Sequence, residues 1–335
     1  MFKKSLNYLF GISLGIFQRY LILIGFGLYG SAIADNFIEP ETILVSEGEV
    51  DVFLKDAETP IVEYVKEFRI AKYETTVEEY QTFINDTGYE SEFDVLNPRL
   101  TQCRGVLTSE LVSWKKLGFE QNKRHPVVCV SWLDAQAYLT WLSGKTNKLY
   151  RLPTHAEWNL SFVRGNQLSI DKRFSESEER CPQNISDVSR RKAMLAKFKD
   201  GDLQYLYHPT DRKTASDEKK YLYVQRLLEV GDQCDDGFAG TSPVDSFVPD
   251  KTEVYGLQGN VSEWVQFCTN PQGDLDNSGL VNGTPCLLIG SKGISHIGSF
   301  SSYASKSDKN ILLMTYNGGR SPSPYIGFRV VLDTN

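Results

Sequence analysis

The sequence predicts an α+β fold in which short strands and about three to five short helices are joined by long loops. Three observations carry that expectation. Apolar and polar residues alternate between positions 41 and 70; three Ser/Thr-x-x-acidic signatures recur at Thr76, Ser131 and Thr154; and beyond Cys234 the chain is rich in Gly, Asn, Ser and Pro with few helical periods.

The runs Ile43-Leu44-Val45, Val50-Asp51-Val52-Phe53 and Val62-Glu63-Tyr64-Val65 read as short strands, whose side chains alternate between two faces. The period then changes. Thr76-Val77-Glu78-Glu79 is a capping box, with Tyr80, Phe83 and Ile84 on one helical face and Gly88 as the expected stop. Ser131-Trp132-Leu133-Asp134 opens a second helix carrying Ala135, Tyr138, Leu139 and Leu142, expected to end at Gly144, and Thr154-His155-Ala156-Glu157 opens a third. Two more helices are expected over 190–199 and 217–230, the latter capped by Ser216 and striped by Tyr221, Val224 and Leu228. Phe328-Arg329-Val330-Val331-Leu332 closes the chain as a strand that should pair with the N-terminal ones, bringing the chain ends together.

Residues 1–34 hold Lys3, Lys4 and Arg19, no acidic residue, and two apolar stretches ahead of Ala32-Ile33-Ala34. This reads as a signal peptide cleaved before Asp35 or as an uncleaved anchor; either places the remainder outside the cytoplasm, periplasmic or secreted. Three of the 36 Lys and Arg lie in that segment, so the rest carries 33 against 43 Asp and Glu, a formal charge of about −10. Such a surface repels nucleic acid, and membrane contact is expected only through an N-terminal anchor. One domain is expected over 35–335, because no Pro/Gly/Ser-rich linker divides it.

Cys103, Cys129, Cys181, Cys234, Cys268 and Cys286 are an even number in an exported chain, which favours disulfides; none stands in a Cys-x-x-Cys pair, so zinc is not expected. Six cysteines permit 15 connectivities. The expected set is Cys181–Cys234 and Cys268–Cys286, each bracketing a polar excursion, with Cys103–Cys129 left over. His125, His155, His208 and His296 are scattered without metal spacing and read as capped or packed.

Four blocks follow one another in order: residues 68–76 (FRIAKYETT), 125–132 (HPVVCVSW), 150–158 (YRLPTHAEW) and 256–264 (GLQGNVSEW). They resemble the successive signatures of the formylglycine-generating enzymes, the sulfatase-modifying factor family, over roughly 41–333, and Gly327-Phe328-Arg329 is similar to the family's usual ending. The resemblance implies a loop-rich, C-type-lectin-like scaffold, and against it the stretch at about 187–233 reads as an insertion closed by Cys181–Cys234. Arg190-Arg191-Lys192 within it is a basic patch, read as a solvated helix face or a partner site.

The same resemblance implies calcium. One ion would take side-chain oxygens from Asn184 and Asp236 and carbonyls from Ile185 and Phe238; the bland alternative is a loop Asn beside an ordinary Asp-Gly turn. A second would use the Gly259 and Val261 carbonyls and the Glu263 carboxylate, but Gly256 stands where many members carry Asn or Asp, so one ligand is missing. Outside the family pattern, Asp274-Leu275-Asp276-Asn277-Ser278-Gly279 copies half an EF-hand loop, with Pro285 where the bidentate Glu belongs; it reads as a polar turn.

In the family, two cysteines with four residues between them hold copper(I) and use oxygen to oxidise a substrate cysteine. The corresponding positions here are Ser302 and Ser307, after Gly298-Ser299-Phe300. A serine hydroxyl is a hard, neutral oxygen that cannot replace a copper(I) thiolate, so copper is not expected and the family's chemistry is lost. Nor does Ser302 have a catalytic setting of its own, with only His296 near it in sequence and no nucleophile elbow. The expectation is a non-catalytic, calcium-stabilised binding protein for a peptide, glycan or partner protein, its groove lined by Ser299, Tyr303, Lys306, Asp308, Asn310, Tyr316 and Asn317. Two enzymatic alternatives stand beside it: an exported oxidase related to the pyoverdine-maturation branch, and formylglycine generation itself.

Overall fold

The computed structural model describes residues 37–52, 61–91, 103–104, 111–165, 184, 189–190, 192–193, 196, 234–257, 259–269, 275–276, 286–290, 312–316 and 322–334. Strands β1 (Thr42–Val45), β2 (Gly48–Val52), β3 (Ile61–Val65) and β4 (Phe68–Ala71) precede helix α1 (Val77–Thr87). Strands β5 (Cys103–Arg104) and β6 (Leu111–Val112) lead to α2 (Trp132–Thr146), β7 (Tyr150–Arg151) and α3 (His155–Gly165). Among the described residues the regular elements of the C-terminal part are all strands: β8 (Ser262–Thr269), β9 (Leu275–Asp276), β10 (Cys286–Gly290), β11 (Leu312–Tyr316), β12 (Ile326–Gly327) and β13 (Val331–Leu332). The expected α+β fold is therefore present, with three helices among the described residues.

All three capping boxes form. Thr76 and Glu79 exchange side-chain-to-backbone bonds across the first turn of α1, Ser131 and Asp134 do so in α2, and Thr154 and Glu157 in α3. Gly88 ends α1 in the left-handed region, as expected. Gly144 does not end α2, which runs on to Thr146 and stops at Asn147, also left-handed. A single glycine in a last turn costs only about 1 kcal/mol, and Asn tolerates the left-handed geometry that closes the helix. Helical residues at 190, 192–193 and 196 fall within the expected 190–199 helix and 189 lies one residue ahead of it, whereas 217–230 lies outside the described residues.

β13 inserts between β4 and β7, so the sheet order is β1-β4-β13-β7, with Val331 opposite both Ile70 and Arg151. The second sheet has the order β11-β10-β8-β12, with β9 also on β8, and β12 runs parallel to β8. The pleat at both positions feeds two cores. Trp264 and Val330 enter one, with Tyr80, Phe83, Tyr138 and Phe328; their neighbours Val265 and Val331 enter the other, with Val45, Ile70, Trp158 and Phe162.

Three tryptophans stitch the blocks together from inside. Trp132 Nε1 donates to the Val265 carbonyl (2.8 Å), Trp264 Nε1 to that of Val130 (3.0 Å), and Trp158 Nε1 to Glu263 Oε2 (2.8 Å). Cys103 and Cys129 form a disulfide with Cα atoms 5.5 Å apart, and Cys234 is also disulfide-bonded. The β8–β10 ladder sets Cys268 opposite Cys286, a placement that the expected bond between them needs. Leu275 and Asp276 pair with Thr269 and Cys268, so two positions of the EF-hand-like stretch are committed to a strand and not to an ion loop.

Candidate functional site

The first and last blocks converge on a buried charge cluster. Beyond β4 the chain folds Glu74 inward, and β8 carries Glu263 to the same place; Glu74, Glu263 and Arg329 are all essentially inaccessible. Arg329 Nε donates to both oxygens of Glu263 (2.9 and 2.8 Å) and Nη2 donates to Oε1 (2.7 Å). Its remaining donors reach the carbonyls of Ala71 (3.2 Å) and Tyr255 (2.8 Å). Burial is the largest single influence on Arg329 and would lower its pKa, but the charge and hydrogen bonds of Glu263, with the charges of Glu74 and Asp250, together outweigh it and the guanidinium stays charged.

Glu74 is the surplus carboxylate. Its Oε1 accepts from Asn260 Nδ2 (3.1 Å); its Oε2 has no hydrogen-bond partner and lies 4.0 Å from Arg329 Nη2. Burial pushes its pKa up to about 7, opposed by Arg329 and reinforced by Glu263. Glu74 also accounts for Gly256, whose φ is +74° and whose missing Cβ would overlap the Glu74 carboxylate.

Asn260 links this cluster to the neighbouring loop. Its φ of +60° lets the backbone N–H donate to the Asn184 carbonyl (2.8 Å). Its Oδ1 accepts from the Ser242 N–H (2.9 Å) and from Asn184 Nδ2 (3.0 Å), and Asn184 Nδ2 also donates to the Gly240 carbonyl (2.9 Å). Asn184 Oδ1 is left buried without a protein partner. The loop that supplies Gly240 begins with an Asx turn in which Asp236 Oδ1 accepts the Phe238 N–H (2.7 Å).

The two expected calcium sites therefore differ. At the first, the Asn184 amide oxygen is buried without a partner while Nδ2 is bonded to Gly240 of the loop that carries Asp236 and Phe238, and an unused amide oxygen suits a hard cation; Ile185 lies outside the described residues. At the second, the donors do not fit. The Glu263 carboxylate is already bonded to Arg329 and Trp158, and Gly256 supplies no side chain, so of the expected ligands Gly259, Val261 and Glu263 the only carboxylate is engaged in an internal ion pair.

Ser302, Ser307, Ser299, Tyr303, Lys306, Asp308, Asn310 and Asn317 lie outside the described residues, and Tyr316 is placed only by its backbone, opposite Cys286 on β11. Of the basic patch, Arg191 lies outside the described residues, Lys192 is exposed as a solvated face requires, and Arg190 alone is corrected. Arg190 is buried with its guanidinium 4.6 Å from the Tyr325 ring centre and a bond to the Tyr325 hydroxyl, and Lys192 pairs with Asp235 (3.2 Å). His125 and His155 are buried, as expected, and burial lowers both to about 4. Sequence reasoning missed the roles of Glu74, Asn260 and Arg329; for Glu74 and Arg329 the available signal was a charge close to a short apolar strand.

The profile of the sulfatase-modifying factor enzyme 1-like domain matches residues 32–334. The chain belongs to that family. Formylglycine-generating enzyme of Thermomonospora curvata is 25% identical over 315 residues, covering 84% of this chain and 88% of that protein. "Inactive C-alpha-formylglycine-generating enzyme 2" of Bos taurus is 26% identical over 236 residues, covering 63% of this chain and 64% of its own. The chain spans about half, 48%, of the length of the mouse formylglycine-generating enzyme that it matches at 27% identity. Among solved structures, PvdO of Pseudomonas aeruginosa shares the fold at a TM-score of 0.54 and 22% identity, over 88% of this chain and 94% of that one. In this sulfatase-modifying-factor domain, then, the four sequence blocks are spent on an interior that holds loops in place.

Proposed function

We propose that this chain is an exported, non-catalytic member of the family, stapled by disulfides and one calcium ion, that binds a peptide, glycan or partner protein. The observation that carries the reading is the pair Ser302 and Ser307 at the positions of the copper-binding cysteines. Among the described residues the helix caps and the tryptophan bonds of the scaffold are present, which supports a loss confined to the chemistry. The 26% identity to a relative named as inactive supports the same reading. Asn184, Ile185, Asp236 and Phe238 would hold the calcium, which would supply charge for loop closure and no redox chemistry. Export is supported by the basic, then apolar, first 34 residues. Among the described residues no helix is long and apolar enough to cross a membrane.

Incubating the full chain with copper(I), oxygen and a Cys-x-Pro-x-Arg peptide, followed by hydrazide capture, should give no aldehyde. Aldehyde above a protein-free control would overturn the reading. Screening the same preparation on peptide and glycan arrays, with the groove variant Tyr303→Ala as comparison, then identifies the ligand class.

A further inference from the structure

Resting on the calcium reading above, we infer that Asn260, which is not itself a ligand, is the positioning residue that aims Asn184 at the cation. The argument is one of amide orientation. A side-chain amide has two donors on one end and an acceptor on the other, so whichever end is occupied by protein decides which end meets a ligand. Both Nδ2–H groups of Asn184 are taken by acceptors, Gly240 O at 2.9 Å and Asn260 Oδ1 at 3.0 Å. The flipped amide would bring oxygen against oxygen at both contacts. Only Oδ1 is left, buried and without a protein partner.

Asn260 cannot flip either. Its Oδ1 receives the Ser242 N–H and its Nδ2 donates to the Ser242 carbonyl (3.2 Å) and to Glu74 (3.1 Å). Orientation is thus transmitted from Glu74 and the Ser242 backbone, through Asn260, to Asn184. A left-handed φ at Asn260 puts its backbone N–H on the Asn184 carbonyl as well, so one residue fixes both the main chain and the side chain of the ligand. Outer partners of metal ligands act in this way, and their loss typically weakens binding about 10- to 100-fold.

The test uses the full chain, calcium titration by calorimetry, and europium luminescence lifetimes in H2O and D2O, which count water on the ion. Asn260→Gly keeps the left-handed backbone and removes the amide. It should weaken calcium at least about tenfold, add one bound water as Asn184→Ala does, and reduce the calcium-induced rise in Tm more than it lowers Tm in EGTA. Unchanged affinity and water count in Asn260→Gly, with Asp236→Ala abolishing binding, would sink the positioning role while leaving the calcium site standing. Binding in Asp236→Ala equal to wild type would instead sink the site itself. Should Asn260→Gly not fold, proton exchange of the wild-type Asn184 side-chain amide in EGTA decides. Slow exchange supports an orientation fixed before the ion arrives, and fast exchange that slows only with calcium overturns it.

Discussion

Arg329 and Glu263, 66 residues apart in sequence, meet as a fully buried pair, with three N–H···O contacts of 2.7–2.9 Å joining guanidinium to carboxylate. Breaking such a pair leaves an uncompensated charge in the interior, at about 3–5 kcal/mol. Glu263→Ala and Arg329→Ala should each lose stability of that order in urea unfolding, and Glu263→Ala also strands Trp158 Nε1. Arg329→Lys should fail to rescue, since an ammonium cannot reproduce the paired donors. A loss under about 1 kcal/mol in either alanine variant would show that the cluster reorganises.

Acid should destabilise the protein through its histidines. His125 and His155 titrate near 4 when folded and near 6.5 when free, so between those values the unfolded chain binds more protons. Stability contributed by the neutral rings is present above about pH 6.5 and is lost as the pH falls through about 4. His125→Gln and His155→Gln together should flatten that slope, read as Tm against pH.

Glu74 acts with the opposite sign. Its folded pKa of about 7 lies above its ordinary 4.5, so its contribution is full below pH 4.5 and is lost as the pH rises through 7. Glu74→Gln keeps the shape and stays neutral. Relative to wild type, its Tm should gain between pH 6 and pH 8; a constant difference across that range would show that Glu74 does not titrate there.

The Cys103–Cys129 bond closes a loop of 26 residues. On the chain-entropy model its loss, as Cys103→Ser with Cys129→Ser, should cost ~3.5 kcal/mol by denaturant unfolding. The N-caps are worth less. Thr76→Ala and Thr154→Ala should each cost about 1 kcal/mol.

Local features were legible because local physics sets them. The capping boxes, the three N-terminal strands and the β13 pairing follow from period, hydroxyl-acid spacing and chain-end closure. The site was only half legible. Asn184 is bonded to Gly240 of the loop that carries Asp236, whereas the Glu263 side chain belongs to Arg329, and that choice depends on which of several charges the fold brings within 3 Å. Burial creates the Glu74 anomaly, and burial is a property of the closed core, not of the block FRIAKYETT. Gly144 was misread because punctuation by glycine is a weak signal wherever an Asn three residues later can end the same turn.

The contact between Glu74 and Gly256 also constrains how this lineage can change. A ligand side chain restored at 256 would collide with the carboxylate and would have to adopt a φ of +74°, which Asn tolerates best. Position 74 must therefore shrink before position 256 can grow, and in the interval the protein would carry a hole above Arg329 with no acid and no ion to fill it. A larger side chain at 256 is therefore reached only by a two-step path whose first step is a loss, because the neighbouring carboxylate occupies its place.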